Sequence, residues 1–395
     1  MKKISKVNLK DISYFANVVL LFSIIIDPTN VFFGIKVIAF LFFVSTSFPY
    51  ARYKNVFVLI TFCMVYFITF STGIVTNQQI DINFAFATLK TFLFLSYLFW
   101  MNDDYLQVFS IFYKLSLLMG IIVIILYFLM FIYPSLGTII NVFFTEKNHP
   151  VRVSHRTILG VGFFSVFYGT SPISVISLSV ALFFLFSKRR IKYFFHSCIF
   201  FLCLFFSGTR ANMLSGILIV VFLTLFYLLY YKKSLLTFVV TFCSASLIGM
   251  TLIIRLLTDE TNVSSHIKSG HSESTLLLFS ENPLRFLFIG TGPGSTFYTT
   301  GFDEVTAQTE LTYLELIRNY GLLFTLLIIS ILCVPFLNII NNKHYDKLLK
   351  FSLLLGYLSY LFIAGTNPLL LSSTGLIVFA VMFYISNNNI LREKI

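Results

Sequence analysis

Apolar runs of membrane-spanning length follow one another from Tyr14 to Ile385, and this pattern leaves the chain few possible folds. A bilayer core takes about 20 apolar residues as a helix, and backbone groups exposed to lipid must be satisfied within the segment. Successive runs of this length therefore read as membrane helices, whereas a β-barrel would show short alternating segments. With 57% hydrophobic and 11% charged residues, lipid is the main solvent and no stretch remains for an independent soluble domain. The expectation is an all-α polytopic protein, a single integral-membrane domain over 1–395.

About twelve spans are expected, at 14–27, 31–48, 56–75, 82–100, 108–133, 158–187, 193–209, 211–231, 234–257, 311–338, 348–366 and 369–386. The run 158–187 contains a candidate break at Gly169-Thr-Ser-Pro172, which would have to face protein or a cavity. Two segments outside the spans stand out, 134–157 and the long loop 258–310 before the last three spans. The basic start followed by Tyr14 to Ile26 resembles a leader, but no small-residue cleavage site follows, so it reads as a retained first helix.

The formal net charge of +12 invites a nucleic-acid partner, but its distribution excludes one. Lys2, Lys3, Lys6 and Lys10, Arg52 with Lys54, Lys188 to Lys192, Lys232-Lys233, Lys343 to Lys350, and Arg392 with Lys394 fall at alternate turns between spans. That asymmetry places both ends in the cytoplasm and puts 134–157 and 258–310 on the opposite, periplasmic face. Cys63, Cys198, Cys203, Cys243 and Cys333 all lie inside apolar runs and read as packing residues. His149, His155, His266 and His271 lack metal-ligand spacing, and adjacent Asp303 and Glu304 make at best half a site. Neither a metal nor a cofactor is expected.

Several arginines go against the topological bias: Arg152, Arg156, Arg210, Arg255, Arg285 and Arg318. An arginine near the membrane core costs about 2.5–3.5 kcal/mol on insertion scales, which asks for an anionic partner. Lys147 and Lys268 read as ordinary solvated loop charges. Guanidinium groups suit phosphate because they bind bidentately and keep their proton, so several converging arginines would hold a pyrophosphate. In Ser207-Gly-Thr-Arg210-Ala-Asn212, hydroxyl and amide donors flank the guanidinium; taken alone, Arg210 also reads as a snorkelling helix-end anchor. Gly290-Thr-Gly292-Pro-Gly294 lacks the dinucleotide fingerprint and its βαβ setting. It reads either as a preformed turn offering backbone N–H groups to an anion or sugar, or as a plain turn before a helix. In the helix that follows, Glu315 and Arg318 share a face at i, i+3 and read as a structural pair. Glu310, one turn nearer the loop and at the aqueous mouth, is the candidate general base.

These three stretches, Ser207 to Asn212, Gly290 to Tyr298 and Thr309-Glu-Leu-Thr-Tyr-Leu-Glu-Leu-Ile-Arg-Asn-Tyr-Gly-Leu322, resemble the bacterial O-antigen polymerase (Wzy) group of the O-antigen ligase and polymerase superfamily. The resemblance covers the second half of the chain in motif and all of it in hydropathy. It implies an inner-membrane glycosyltransferase of the GT-C-like kind. Such an enzyme moves a growing glycan from undecaprenyl pyrophosphate onto a carrier-linked repeat unit at the periplasmic face. It implies lipid-linked oligosaccharides as donor and acceptor, membrane lipids as surroundings, and room for a chain-length regulator and a flippase as partners. On the ligase branch this helix begins His-Asn-x-Tyr-Leu; aligned on Tyr313 and Leu314, the histidine position is Glu310, a departure that favours a polymerase. Arg210 matches the arginine after Ser-Gly, and Arg285 falls near the arginine expected in the large loop. The candidate pyrophosphate and glycan contacts are Arg210, Arg285, Arg156, Arg152, Gly292, Gly294 and His271. A lipid pyrophosphate leaves without a general acid, so a single carboxylate is enough for this chemistry. The alternatives are an O-antigen ligase joining glycan to lipid A-core and, from another class, a lipid-linked oligosaccharide flippase. The latter would carry inverted repeats and midplane polarity in both halves.

Overall fold

The computed structural model describes residues 8–30, 34–76, 79–100, 106–145, 151–158, 161–232 and 263–387, which are predominantly helical. Helices α1 (Leu9–Ile26), α2 (Lys36–Ser47), α3 (Val56–Val75) and α4 (Ile82–Phe92) come first, with a 3-10 turn over Leu93–Trp100 extending α4. Then come α5 (Val108–Ile132) and α6 (Pro134–Thr145). An antiparallel hairpin of β1 (Val151–Ile158) and β2 (Val161–Tyr168) leads into α7 (Ser174–Lys188), α8 (Ile191–Phe206) and α9 (Arg210–Tyr227). The later part holds α10 (Val263–Glu281), α11 (Pro283–Phe288), a small hairpin of β3 (Phe297–Thr299) and β4 (Glu304–Thr306), and α12 (Thr312–Leu332). It ends with α13 (Val334–Asn341), α14 (Lys347–Gly365) and α15 (Ser373–Asn387).

Among the described residues, 8 helices are long and apolar enough to cross a membrane. Lys36–Tyr50, Ile191–Phe206 and Ser373–Asn387 are shorter apolar helices. The chain is a mostly helical, multi-pass membrane protein. The span expected at 234–257 lies outside the described residues, as do Glu146, Lys147, His149 and Arg255 and the side chains of Arg152, His155 and Arg156.

At the centre stands α7, buried continuously from Ser174 to Phe184. Its serines let a neighbour come close: a Cβ added to Gly356 of α14 would lie 2.3 Å from Ser179 Oγ, and Ser352 Oγ donates to the Ser179 carbonyl at 2.5 Å. Close approach of small residues is how helices gain packing energy where lipid removes the hydrophobic drive. On the outside of the bundle, Phe57, Ile60, Met64 and Phe67 of α3 and Leu323, Leu326 and Leu327 of α12 are exposed, as a lipid-facing surface requires.

Two expectations need correction. The run 158–187 is not one helix: its first part is β2, paired with β1 in a register that sets Val153 opposite Val166 and Arg156 opposite Phe163. The break at Gly169 to Pro172 is where the hairpin ends and a 3-10 turn starts α7. A short apolar stretch rich in Val and Phe fits a strand as well as a helix, and periodicity alone does not separate the two. The second correction is that 258–310 is no plain loop, because it holds α10, a helix of 19 residues. Gly270 in its middle admits the Thr300–Gly301 turn, where a Cβ would lie 2.6 Å from Gly301 N.

Candidate functional site

The sequence continues a helix through Tyr320-Gly321-Leu322, but Gly321 adopts φ 75°, ψ 162° and kinks α12. The kink presents the carbonyls of Arg318 and Asn319 to the glycine-rich loop. Thr291 N–H donates to Arg318 O at 2.7 Å and Gly292 N–H to Asn319 O at 3.0 Å. A broken membrane helix must have its freed backbone groups satisfied by a neighbour, and this loop does so. The approach demands glycine on both sides. A Cβ on Gly321 would lie 2.5 Å from Ile289 N, and one on Gly290 would lie 2.5 Å from Arg318 O. Beyond the kink, the loop holds α4 in place through Asp81 N–H, which donates to Gly294 O at 2.7 Å. The candidate substrate contacts Gly292 and Gly294 thus sit in a loop that packs against α12 and α4. Both are buried, and the Thr291 and Gly292 amides expected to face an anion are spent on α12.

Just before the kink, Glu315 and Arg318 form a closed network. Arg318, 1% exposed, uses all five donors: Nε and Nη2 grip the two oxygens of Glu315, Nη1 reaches Ser295 O (2.7 Å) and Oγ (2.8 Å), and Nη2 also reaches Ala307 O (2.8 Å). Its guanidinium lies 4.6 Å over the Phe297 ring. Each Glu315 oxygen accepts twice, because Thr309 Oγ1 donates to Oε2 at 3.3 Å and Asn319 Nδ2 to Oε1 at 2.9 Å. A carboxylate has about four acceptor positions. All are taken, so Glu315 has no lone pair in place for a substrate proton.

A second group of charges is only partly buried. Ser265, Lys268 and His271 recur every three residues and share one side of α10. Arg210 Nη1, at the start of α9, donates to Ser265 Oγ at 3.3 Å, and Lys268 Nζ lies 3.9 Å from Glu310 Oε2, each of that pair's side chains about a third exposed. Glu310 makes no hydrogen bond among the described residues, so its lone pairs stay available. Lys268, read from sequence as an idle loop charge, is in fact the cation beside the candidate base. His271 is fully buried, with Nδ1 2.7 Å from Thr299 Oγ1 and its ring edge-on to Phe302. Burial lowers its pKa, while the carboxylates of Glu310 and Glu315 pull the other way.

Thus α10 brings Arg210, Glu310 and His271 to one helix. Arg285 stands apart: from α11, Nε donates to Gly290 O (2.9 Å) and Nη2 to Thr76 Oγ1 (2.7 Å). It ties the glycine loop to the end of α3, and the described contacts do not bring it to Glu310. Beside the closed network lies a cavity of about 180 Å³ between α4, the start of α12 and the 368–372 turn. Among the described residues, no cluster of three metal-ligating side chains occurs. Lys268 and Asn319 are the two residues here that the sequence does not mark as candidates. The three-residue spacing of polar side chains from Ser265 to His271 was the signal available for the first, and nothing local marks the second. No protein-family model, curated protein or solved structure matches this chain.

Proposed function

We propose that the protein is a membrane glycosyltransferase of the O-antigen polymerase kind. In this reading twelve helices span the bacterial inner membrane, both ends are cytoplasmic, and 134–157 and 258–310 face the periplasm. The observation that carries the chemistry is the difference between two carboxylates on one motif. Glu315 is saturated by four donors, whereas Glu310 keeps its lone pairs beside Lys268, on the helix whose Ser265 holds Arg210. Glu310 takes the proton of the acceptor hydroxyl as its oxygen bonds to the anomeric carbon of the donor. The bond from that carbon to the lipid pyrophosphate breaks, and the electron pair leaves with the phosphate. Arg210 and Lys268 offset the charge that develops there. No general acid is needed.

Deleting the gene and running the surface lipopolysaccharide on a gel tests this reading. Core carrying a single repeat unit is the expected product; bare core would assign a ligase, and an unchanged ladder would end the proposal. Topology has its own test: cysteines placed at exposed Ser135 and Glu273, in a cysteine-free background, are expected to react with an impermeant reagent applied from the periplasm. Labelling only from the cytoplasm would reverse the orientation.

A further inference from the structure

We infer that the cavity between α4, the first turns of α12 and the 368–372 turn is a binding subsite for one neutral, hydroxyl-bearing six-membered ring, held through Asn319. The inference rests on the glycan reading above for the identity of that ring, and on geometry alone for the existence of the site.

The starting point is Asn319, 6% exposed, which lines the cavity. A carboxylate can only accept, so the contact with Glu315 Oε1 at 2.9 Å must come from Nδ2 and fixes which way the amide is turned. That leaves Oδ1, a buried acceptor that no protein group reaches among the described residues. The Glu315 oxygens, which also line the cavity, are already taken by four donors, so the acceptor the network leaves unused there is the neutral Asn319 Oδ1, beside a carboxylate. Its natural complement is an O–H or N–H donor, and a phosphate or carboxylate would be repelled.

The rest of the lining agrees. Thr88 and Thr91 of α4 donate to the carbonyls of Phe84 and Ala87, and Thr312 donates to Asn367 O, which leaves their hydroxyl oxygens as further acceptors. Phe84, Leu316 and Tyr320 supply apolar wall. Mixed walls with a few fixed polar groups characterise small-ligand sites. As for size, an engineered cavity of about 150 Å³ in another protein holds a benzene molecule. This one, at about 180 Å³, takes a single pyranose ring. Gln308 and Thr309 form its edge, so a sugar seated there lies beside the strand of chain that carries Glu310.

The test is ligand-observed NMR on the full-length protein in detergent, with methyl pyranosides as probes and cyclohexylmethanol as an apolar ring of the same size. Saturation transfer from at least one methyl pyranoside is expected, with little from cyclohexylmethanol. Ala87→Phe fills the open side of the cavity without touching the network and is expected to weaken binding by at least about tenfold. Asn319→Leu removes the acceptor and is expected to do the same, because a ligand donor buried without a partner forfeits that much. If Asn319→Leu does not fold, Ala87→Phe still decides. Equal binding by the wild type and Ala87→Phe would overturn the site, and tighter binding of cyclohexylmethanol would overturn the sugar assignment. Because no turnover is read, pyranoside binding that persists in a protein shown not to polymerise would leave the subsite standing and remove only the reaction. A working polymerase without pyranoside binding would remove only the subsite.

Discussion

Arg318 and Arg210 are both arginines at the polar end of an apolar helix, yet they are buried to different degrees. Arg318 is sealed, its five donors spent on Glu315, Ser295 and Ala307. Arg210 is half-buried, and the hydrogen bond described for it runs to a serine on a polar helix. The carboxylates repeat the contrast, Glu315 saturated and Glu310 open. A charge in a membrane protein is costly either way, and the cost is offset by full internal pairing or by a substrate. For the two carboxylates, counting lone pairs tells the cases apart where residue type does not.

The largest effect belongs to the sealed side. Arg318→Met leaves Glu315 buried and unpaired, so a loss of about 3–5 kcal/mol is expected, seen as collapse of the monodisperse peak in detergent and a lower thermal midpoint. Adding Glu315→Leu should restore part of that loss, since removing both charges avoids the unpaired one; no recovery would mean the pair is not the unit described. Next comes the kink. Gly321→Ala forces an L residue to φ 75° with its Cβ 2.5 Å from Ile289 N, and at least about 1–2 kcal/mol should go, read by the same thermal midpoint.

On the open side stability should hold while turnover falls. Arg210→Ala is expected to cut chain extension by more than about tenfold at an unchanged midpoint, with Arg210→Lys a poor rescue if the contact is bidentate. Full activity would take Arg210 out of the site. The smallest effect is pH-dependent. Burial holds His271 below its ordinary pKa of about 6.5, so the unfolded chain binds the proton first. Its contribution is complete above that value and is lost as pH falls through it toward the folded pKa. From pH 7.5 to 5.5 the wild type should lose more stability than His271→Asn, and identical slopes would contradict the burial argument.

Much of this was legible in the sequence where chemistry is local. The run 56–75 corresponds to α3, Val56–Val75, because twenty apolar residues allow little else. The i, i+3 spacing of Glu315 and Arg318 gave their contact directly. Long-range geometry was not legible. Nothing near Gly292 says that its amide will be spent on Asn319, and nothing near Lys268 says that Glu310 will fold back onto α10. That helix itself escaped because its sequence lacks an apolar stripe. It is positioned instead by His271 against Thr299 and Ser274 against Thr300, partners about 26 to 28 residues away. The strand β2 was missed for the opposite reason, being apolar enough to pass for half of a membrane helix.

In the proposed mechanism the open carboxylate does the chemistry and the saturated one holds the structure. It is tested by making Glu310→Gln and Glu315→Gln separately and measuring, for each, purified yield, thermal midpoint and the length of glycan chains produced. Glu310→Gln is expected to fold like the wild type and lose chain extension by about a hundred- to ten-thousandfold, the usual worth of a positioned general base, while Glu315→Gln is lost mainly as protein. Normal long chains from Glu310→Gln, together with a well-folded but inactive Glu315→Gln, would contradict it and exchange the two roles.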